Sequence, residues 1–156
     1  MLFLISSPPL PLLISPPSLP PSFPPSVDRD GTILEKPDDD AHAHAMLTSL
    51  SGRQHLVHSG VAVFSSLGPR SEEYGTPLPV VSFSETARVT FAPLASEEIW
   101  SYVRSGEPMD KAGSYGIQGL GGQMVRGIDG CYFTVMGLPM HRLSAALARM
   151  VDEGLV

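Results

Sequence analysis

Proline spacing at the start of the chain limits where a fold can form. Pro8, Pro9, Pro11, Pro16, Pro17, Pro20, Pro21, Pro24 and Pro25 follow too closely for a helix or a central strand, because each removes a backbone donor and locks φ. Such a run favours an extended, polyproline-like arm. Residues 1–30 therefore read as a non-domain segment and residues 31–156 as one domain. The apolar start, residues 1–14, suggests a secretion signal, but it lacks a basic flank and its prolines break the helix that a signal needs. A docking motif for proline-recognising domains is a further reading, weakened by the absence of flanking basic residues.

The formal charge of -6 and pI near 5.2 argue against a protein that wraps nucleic-acid backbone, since that affinity comes from many Lys and Arg on phosphates. One small anionic ligand needs only a local cluster and stays allowed. Cys131 is the single cysteine, so an intrachain disulfide and a cysteine zinc site are both excluded. It fits a reducing, cytoplasmic setting and reads as a buried strand residue. No membrane partner is expected.

From Gly31 onward helical and strand patterns alternate. Thr32, Ile33 and Leu34 end a strand that Lys36-Pro37 stops. Asp38 or Asp39 caps a helix over Ala41 to Leu50, which Gly52 terminates. His55 to Phe64 and Val80 to Phe91 are β-rich runs joined by a long polar loop. Ser96 suits an N-cap for a short amphipathic helix with Ile99, Tyr102 and Val103 on one face. Asp129-Gly130, flanked by Met124 to Ile128 and Cys131 to Val135, predicts a β-hairpin. A last helix runs from Pro139 to Asp152 with Leu143, Ala146, Leu147 and Met150 on one face. The order predicts an α/β or α+β fold with helices packed on a sheet.

The stretch from Ser105 to Gly119 concentrates the chemistry. Glu107 and Asp110 suit a hard divalent ion, Lys111 suits a phosphoryl oxygen, and the backbone amides from Gly113 to Gly116 suit anions. A tight glycine-rich connection with solvated charges explains the same residues equally well. The histidines are bland: His42 and His44 fall on different faces of a helix, and His55, His58 and His141 lack companions at zinc-ligand spacing. Trp100 reads as partial core.

Glu107-Pro108-Met109-Asp110-Lys111-Ala112-Gly113 followed by Tyr115-Gly116-Ile117-Gln118-Gly119 resembles the signature loop of the Maf family, including the Maf-like half of acetylserotonin O-methyltransferase-like proteins. Ile33 to Pro37, Leu50 to His55 with Ser59-Gly60-Val61, Glu85 to Leu94, and Val135 to Pro139 resemble further family blocks in the same order. The resemblance implies a twisted mixed sheet with flanking helices. It also implies hydrolysis of a nucleoside triphosphate to a monophosphate and pyrophosphate with magnesium or manganese, and it allows a homodimer. By the same analogy Lys36 and Lys111 contact phosphates, Glu107 and Asp110 lie around the metal, and Arg53, Tyr115, Gly116 and Gln118 bind substrate. Arg53 in a salt bridge is an equal alternative. The Gln118 amide offers an acceptor and donors that complement O4 and N3–H of uracil or thymine, and glutamine at this position goes with the dTTP and UTP branch.

Two family motifs have no counterpart. The arginines of the opening S-x-SPRR loop are missing, and backward alignment from Leu34-Glu35-Lys36-Pro37 puts the general-base aspartate of the ADT motif at Pro24. Asp28 and Asp30 are the nearby carboxylates, and either needs a shifted register to substitute. The expectation is a truncated family domain with impaired catalysis, exposed apolar surface and an open sheet edge. A non-catalytic nucleotide-binding or interaction module is the alternative.

Overall fold

A computed structural model describes residues 25–155. Most of the proline-rich arm, the apolar start and Pro24 lie outside them. The described chain opens on a tight hairpin of β1 (Ser26–Arg29) and β2 (Thr32–Leu34), with Arg29 opposite Thr32. Asp30 and Gly31 between them have φ of 53° and 84°, the left-handed pair that a two-residue hairpin of type I′ demands. Asp28 accepts the Gly31 amide at 2.7 Å. The sheet therefore takes in residues 26–29, which the sequence reading set apart with the prolines. Ser26 to Arg29 contains no proline, so β1 keeps donors for neighbours on both sides.

Helix α1 (Asp40–Leu50) is capped by Asp39, whose carboxylate accepts the His42 amide at 2.7 Å. Strands β3 (Gln54–Val63), β4 (Val81–Phe91) and β5 (Val125–Asp129) complete a five-stranded sheet in the order β2-β1-β3-β4-β5. Every pairing among its strands is antiparallel, where the family resemblance implied a mixed sheet. The mixed α and β class stands.

Strand alternation makes the sheet one-sided. Val57, Ala87, Val89 and Phe91 are buried beneath Leu47 and Leu50 of α1 and Ile99 and Val103 of α2 (Ser96–Val103). The alternate positions Gln54, Ser82, Ser84, Thr86 and Arg88 are exposed. Helix α4 (Met140–Asp152) adds a second apolar cluster by setting Leu143 and Met150 against Val61 and Val63.

Three local expectations are corrected. Asp129-Gly130 closes no hairpin: β5 ends there, and Tyr132–Met136 forms a short helix, α3. The β-branched and aromatic run misled because packing overrides propensity; Thr134 and Val135 turn into the core, and left-handed Gly137 caps the helix with its amide on the Phe133 and Thr134 carbonyls. Cys131 is accordingly a half-buried cap residue instead of a buried strand residue. In α2 the N-cap is Ala95, whose amide is bonded by Glu98 at 2.7 Å. Ser96 lies inside the helix, 3.1 Å from His44 Nε2.

His55 sits inside the core, 3% exposed, with Nε2 2.8 Å from the Tyr115 hydroxyl and its ring edge-on to Phe91. Its Nδ1 is buried without a hydrogen-bond partner among the described residues. Burial pushes its pKa from 6.5 down to about 4, because the charged ring would lose its hydration. The unfolded chain then takes up the proton first, so this stability is fully present above pH 6.5 and is lost as pH falls toward about 4. The expected loss is about 3 kcal/mol, from the two pKa values at roughly 1.4 kcal/mol per unit. Urea unfolding across that window measures it, and a His55→Gln variant should show a visibly shallower fall.

Candidate functional site

After α2 the chain turns through Gly106 into three short 3-10 turns, Glu107–Asp110, Ala112–Ser114 and Leu120–Met124. The Gly113 amide donates to the Glu35 carbonyl at 3.0 Å, which ties this loop to the segment after β2. Gly113 and Ser114 both take left-handed φ, 68° and 61°. That reversal sends Tyr115 into the core, where it meets His55 and Phe91. A non-glycine residue in this region carries a conformational cost, here sustained by the buried packing on either side.

Between the loop and the sheet lies a pocket of about 400 Å³, within the range that holds small organic ligands. Buried Val27, Val57 and Val135 form its apolar wall, Pro25 stands at the entry to β1, and Asp110, Lys111 and exposed Gln118 supply polar groups. The Gln118 amide makes no hydrogen bond within the described residues and is free to meet a ligand.

The two carboxylates differ sharply. Asp110 is exposed and lies 2.6 Å from the Lys111 ammonium. That hydrogen bond, then the Lys111 charge, and to a smaller extent the charge of Lys36, hold its carboxyl below the ordinary aspartate range. Glu107 is enclosed by donors: the Tyr102 hydroxyl at 2.9 Å, the Leu120 amide at 2.8 Å and the Gly121 amide at 3.0 Å. Burial works to raise its pKa, but the two amides, the hydroxyl and Lys111 outweigh it and the net shift is downward.

These contacts test the fit of a divalent ion. Glu107 accepts from three donors, two on Oε1 and one on Oε2, and among the described residues no group of three or more His, Cys, Asp and Glu is placed to hold a metal. Asp110 remains the carboxylate able to turn to a cation that also engages ligand phosphates, a mode that suits magnesium.

The fold thus gathers Glu107, Asp110, Lys111, Tyr115, Gly116 and Gln118 at one pocket. Lys36 is exposed beside it, near enough to act on Asp110. Arg53 is not brought in; it is exposed, 3.8 Å from Asp30 at the hairpin turn. Asp28 and Asp30 also stay outside the pocket, on the Gly31 amide and beside Arg53 respectively. His42 pairs with Asp38 and His44 stacks on Trp100, on separate faces as expected. Sequence reasoning missed Tyr102 and the wall residues Val27, Val57, Val135 and Met136. Only the Val135 to Pro139 block carried a signal for them.

Comparison with known proteins identifies relatives of this chain. The family described as Maf-like protein matches residues 26–150. A Clostridium perfringens protein named dTTP/UTP pyrophosphatase is 46% identical over 121 residues, covering 78% of this chain and 58% of its own length. A protein of the same name from Carboxydothermus hydrogenoformans is 48% identical over 114 residues, 73% of this chain and 56% of its own. A human protein named "Probable bifunctional dTTP/UTP pyrophosphatase/methyltransferase protein" is 43% identical over 120 residues, 77% of this chain and 19% of its own. The chain spans a little over half the length of the bacterial relatives. With the match running from β1 through the pocket loop into α4, the chain belongs to the Maf family.

Proposed function

We propose that this chain binds a pyrimidine nucleoside triphosphate, UTP or dTTP, at the loop pocket and releases pyrophosphate from it slowly. The observation that carries the reading is the joint presence in one pocket of Lys111, suited to phosphate, and of an unpaired Gln118 amide, suited to a pyrimidine edge. The names of the relatives support it. Lys111 exchanges its contact with Asp110 for a phosphoryl oxygen, and Lys36 adds a second positive charge nearby. A magnesium or manganese ion, held by Asp110 and the phosphates, supplies charge neutralisation when bound. No helix among the described residues is long and apolar enough to cross a membrane.

In the reaction, water adds to the α-phosphorus and the bond from that phosphorus to the α–β bridging oxygen breaks. The leaving pyrophosphate takes the electron pair, and the water's proton needs an acceptor. Among the pocket's carboxylates, Glu107 is held by three donors that stabilise its anion and Asp110 is weakened as a base by Lys111. Pro24, aligned with the family's base, has no ionisable group. A positioned base contributes about 10²–10⁴-fold, roughly 3 to 5 kcal/mol of barrier. The stabilised Glu107 anion and the weakened Asp110 support a second reading, nucleotide binding without turnover.

Calorimetry of the full chain should show UTP and dTTP binding more tightly than GTP, and Gln118→Glu should weaken UTP by roughly 1 to 3 kcal/mol. Equal affinity for UTP and GTP in the unmutated chain contradicts the base assignment. Pyrophosphate release from UTP with magnesium should run about 10²–10⁴-fold slower than in a chimera whose residues 1–25 are replaced by the N-terminal part of the Clostridium perfringens relative. A rate comparable to the chimera's would show that a group of this chain serves as base.

A further inference from the structure

Tyr102 ends the buried face of α2 and is 8% exposed. Its hydroxyl donates to Glu107 Oε1 at 2.9 Å and accepts the Gly116 amide at 3.1 Å. The Glu107 carboxylate continues the chain of bonds by accepting the Leu120 and Gly121 amides at 2.8 and 3.0 Å. The segment that carries Gln118 is therefore held at both ends, Gly116 by the phenol and Leu120 with Gly121 by the carboxylate. Between those ends the Gly119 amide reaches the Gly116 carbonyl at 3.3 Å. A Cβ on Gly119 would stand 2.4 Å from Glu107 Oε2, so the turn wraps the carboxylate more closely than any side chain allows.

Gln118, Gly119 and Leu120 are exposed. Little apolar packing holds them, and an exposed turn without anchors spends its time in many conformations. A side chain on such a turn binds weakly, because ordering it costs free energy that an already fixed turn does not lose. The phenol is fixed by its place on the buried face of α2, and the carboxylate is tied to α2 through it. From this geometry we infer that Tyr102 and Glu107 are positioning residues for base selection: together they clamp the Gly116–Gly121 turn so that the Gln118 amide is presented to the pyrimidine edge. The clamp acts on the base end of the ligand, and its uncharged member, Tyr102, bonds to Glu107 and Gly116 and makes no bond to Lys111, which serves the phosphate end. This inference rests on the reading above that Gln118 meets the base.

The test separates the two ends of the ligand. The full chain, Tyr102→Phe and Glu107→Gln are titrated by calorimetry with UTP, GTP and inorganic tripolyphosphate, each with magnesium. Tyr102→Phe preserves the ring that packs in the core, and Glu107→Gln provides a second variant if the first does not fold. The expected result is a loss of UTP affinity of about tenfold or more, approaching that for GTP, with tripolyphosphate unchanged in Tyr102→Phe and not weakened in Glu107→Gln, which removes a negative charge near Lys111. Amide exchange at Gly116, Leu120 and Gly121 should quicken in the same variants. If a folded variant keeps the full preference for UTP, or loses tripolyphosphate in equal measure, the clamp is overturned while the reading of Gln118 stands. If the unmutated chain itself does not prefer UTP, the reading of Gln118 falls and the clamp's role in selection falls with it.

Discussion

The burial of one face of the β3–β4 pair is the constraint on which the remaining structure depends. The two strands pair from Gln54 opposite Thr90 to Val63 opposite Val81, and that register turns Val57, Val61, Val89 and Phe91 to the same side. A register shifted by one residue would turn the polar set Gln54, Ser84, Thr86 and Arg88 inward. Everything else is attached to this surface. β1 adds Val27 to it, α1 and α2 cover one end, and α4 covers the other.

The pocket is a consequence of that layering. Its apolar wall is the edge of the core, where Val27 and Val57 of neighbouring strands meet Val135 of α3. Its polar side is a loop that could not hold a shape by itself. Buried Tyr102 and Tyr115 give that loop its anchorage, one reaching up from α2 and the other inserted beside His55. Charged groups thereby stand at the border between core and solvent, where an ion pair such as Lys111 with Asp110 is cheap to separate.

The unequal use of two carboxylates is the main chemical lesson of the site. Glu107 and Asp110 lie within one short turn, yet one is enclosed by three donors and the other faces solvent beside a lysine. A carboxylate enclosed by donors is a structural anion, poorly suited to accept a proton. One type of residue thus serves an architectural end at Glu107 and remains available to a ligand at Asp110.

Much of this protein was legible in its sequence. Helix α1 with its aspartate cap and left-handed glycine, the two long strands, α4 and the ordered blocks of the signature loop all follow from local periodicity and from the fixed conformational demands of glycine, aspartate and proline. Family membership was readable for the same reason, since motifs are local strings. The tertiary structure alone decided what depends on distant partners. It placed the tight hairpin at Asp30-Gly31 instead of Asp129-Gly130, because β3 lay ready to receive β1 while Val135 was drawn into the core as helix. It drew Arg53 away to Asp30, and it committed Glu107 to Tyr102 and two loop amides. Residue types and their order along the chain are written locally, but which donor meets which acceptor is set by how the layers pack.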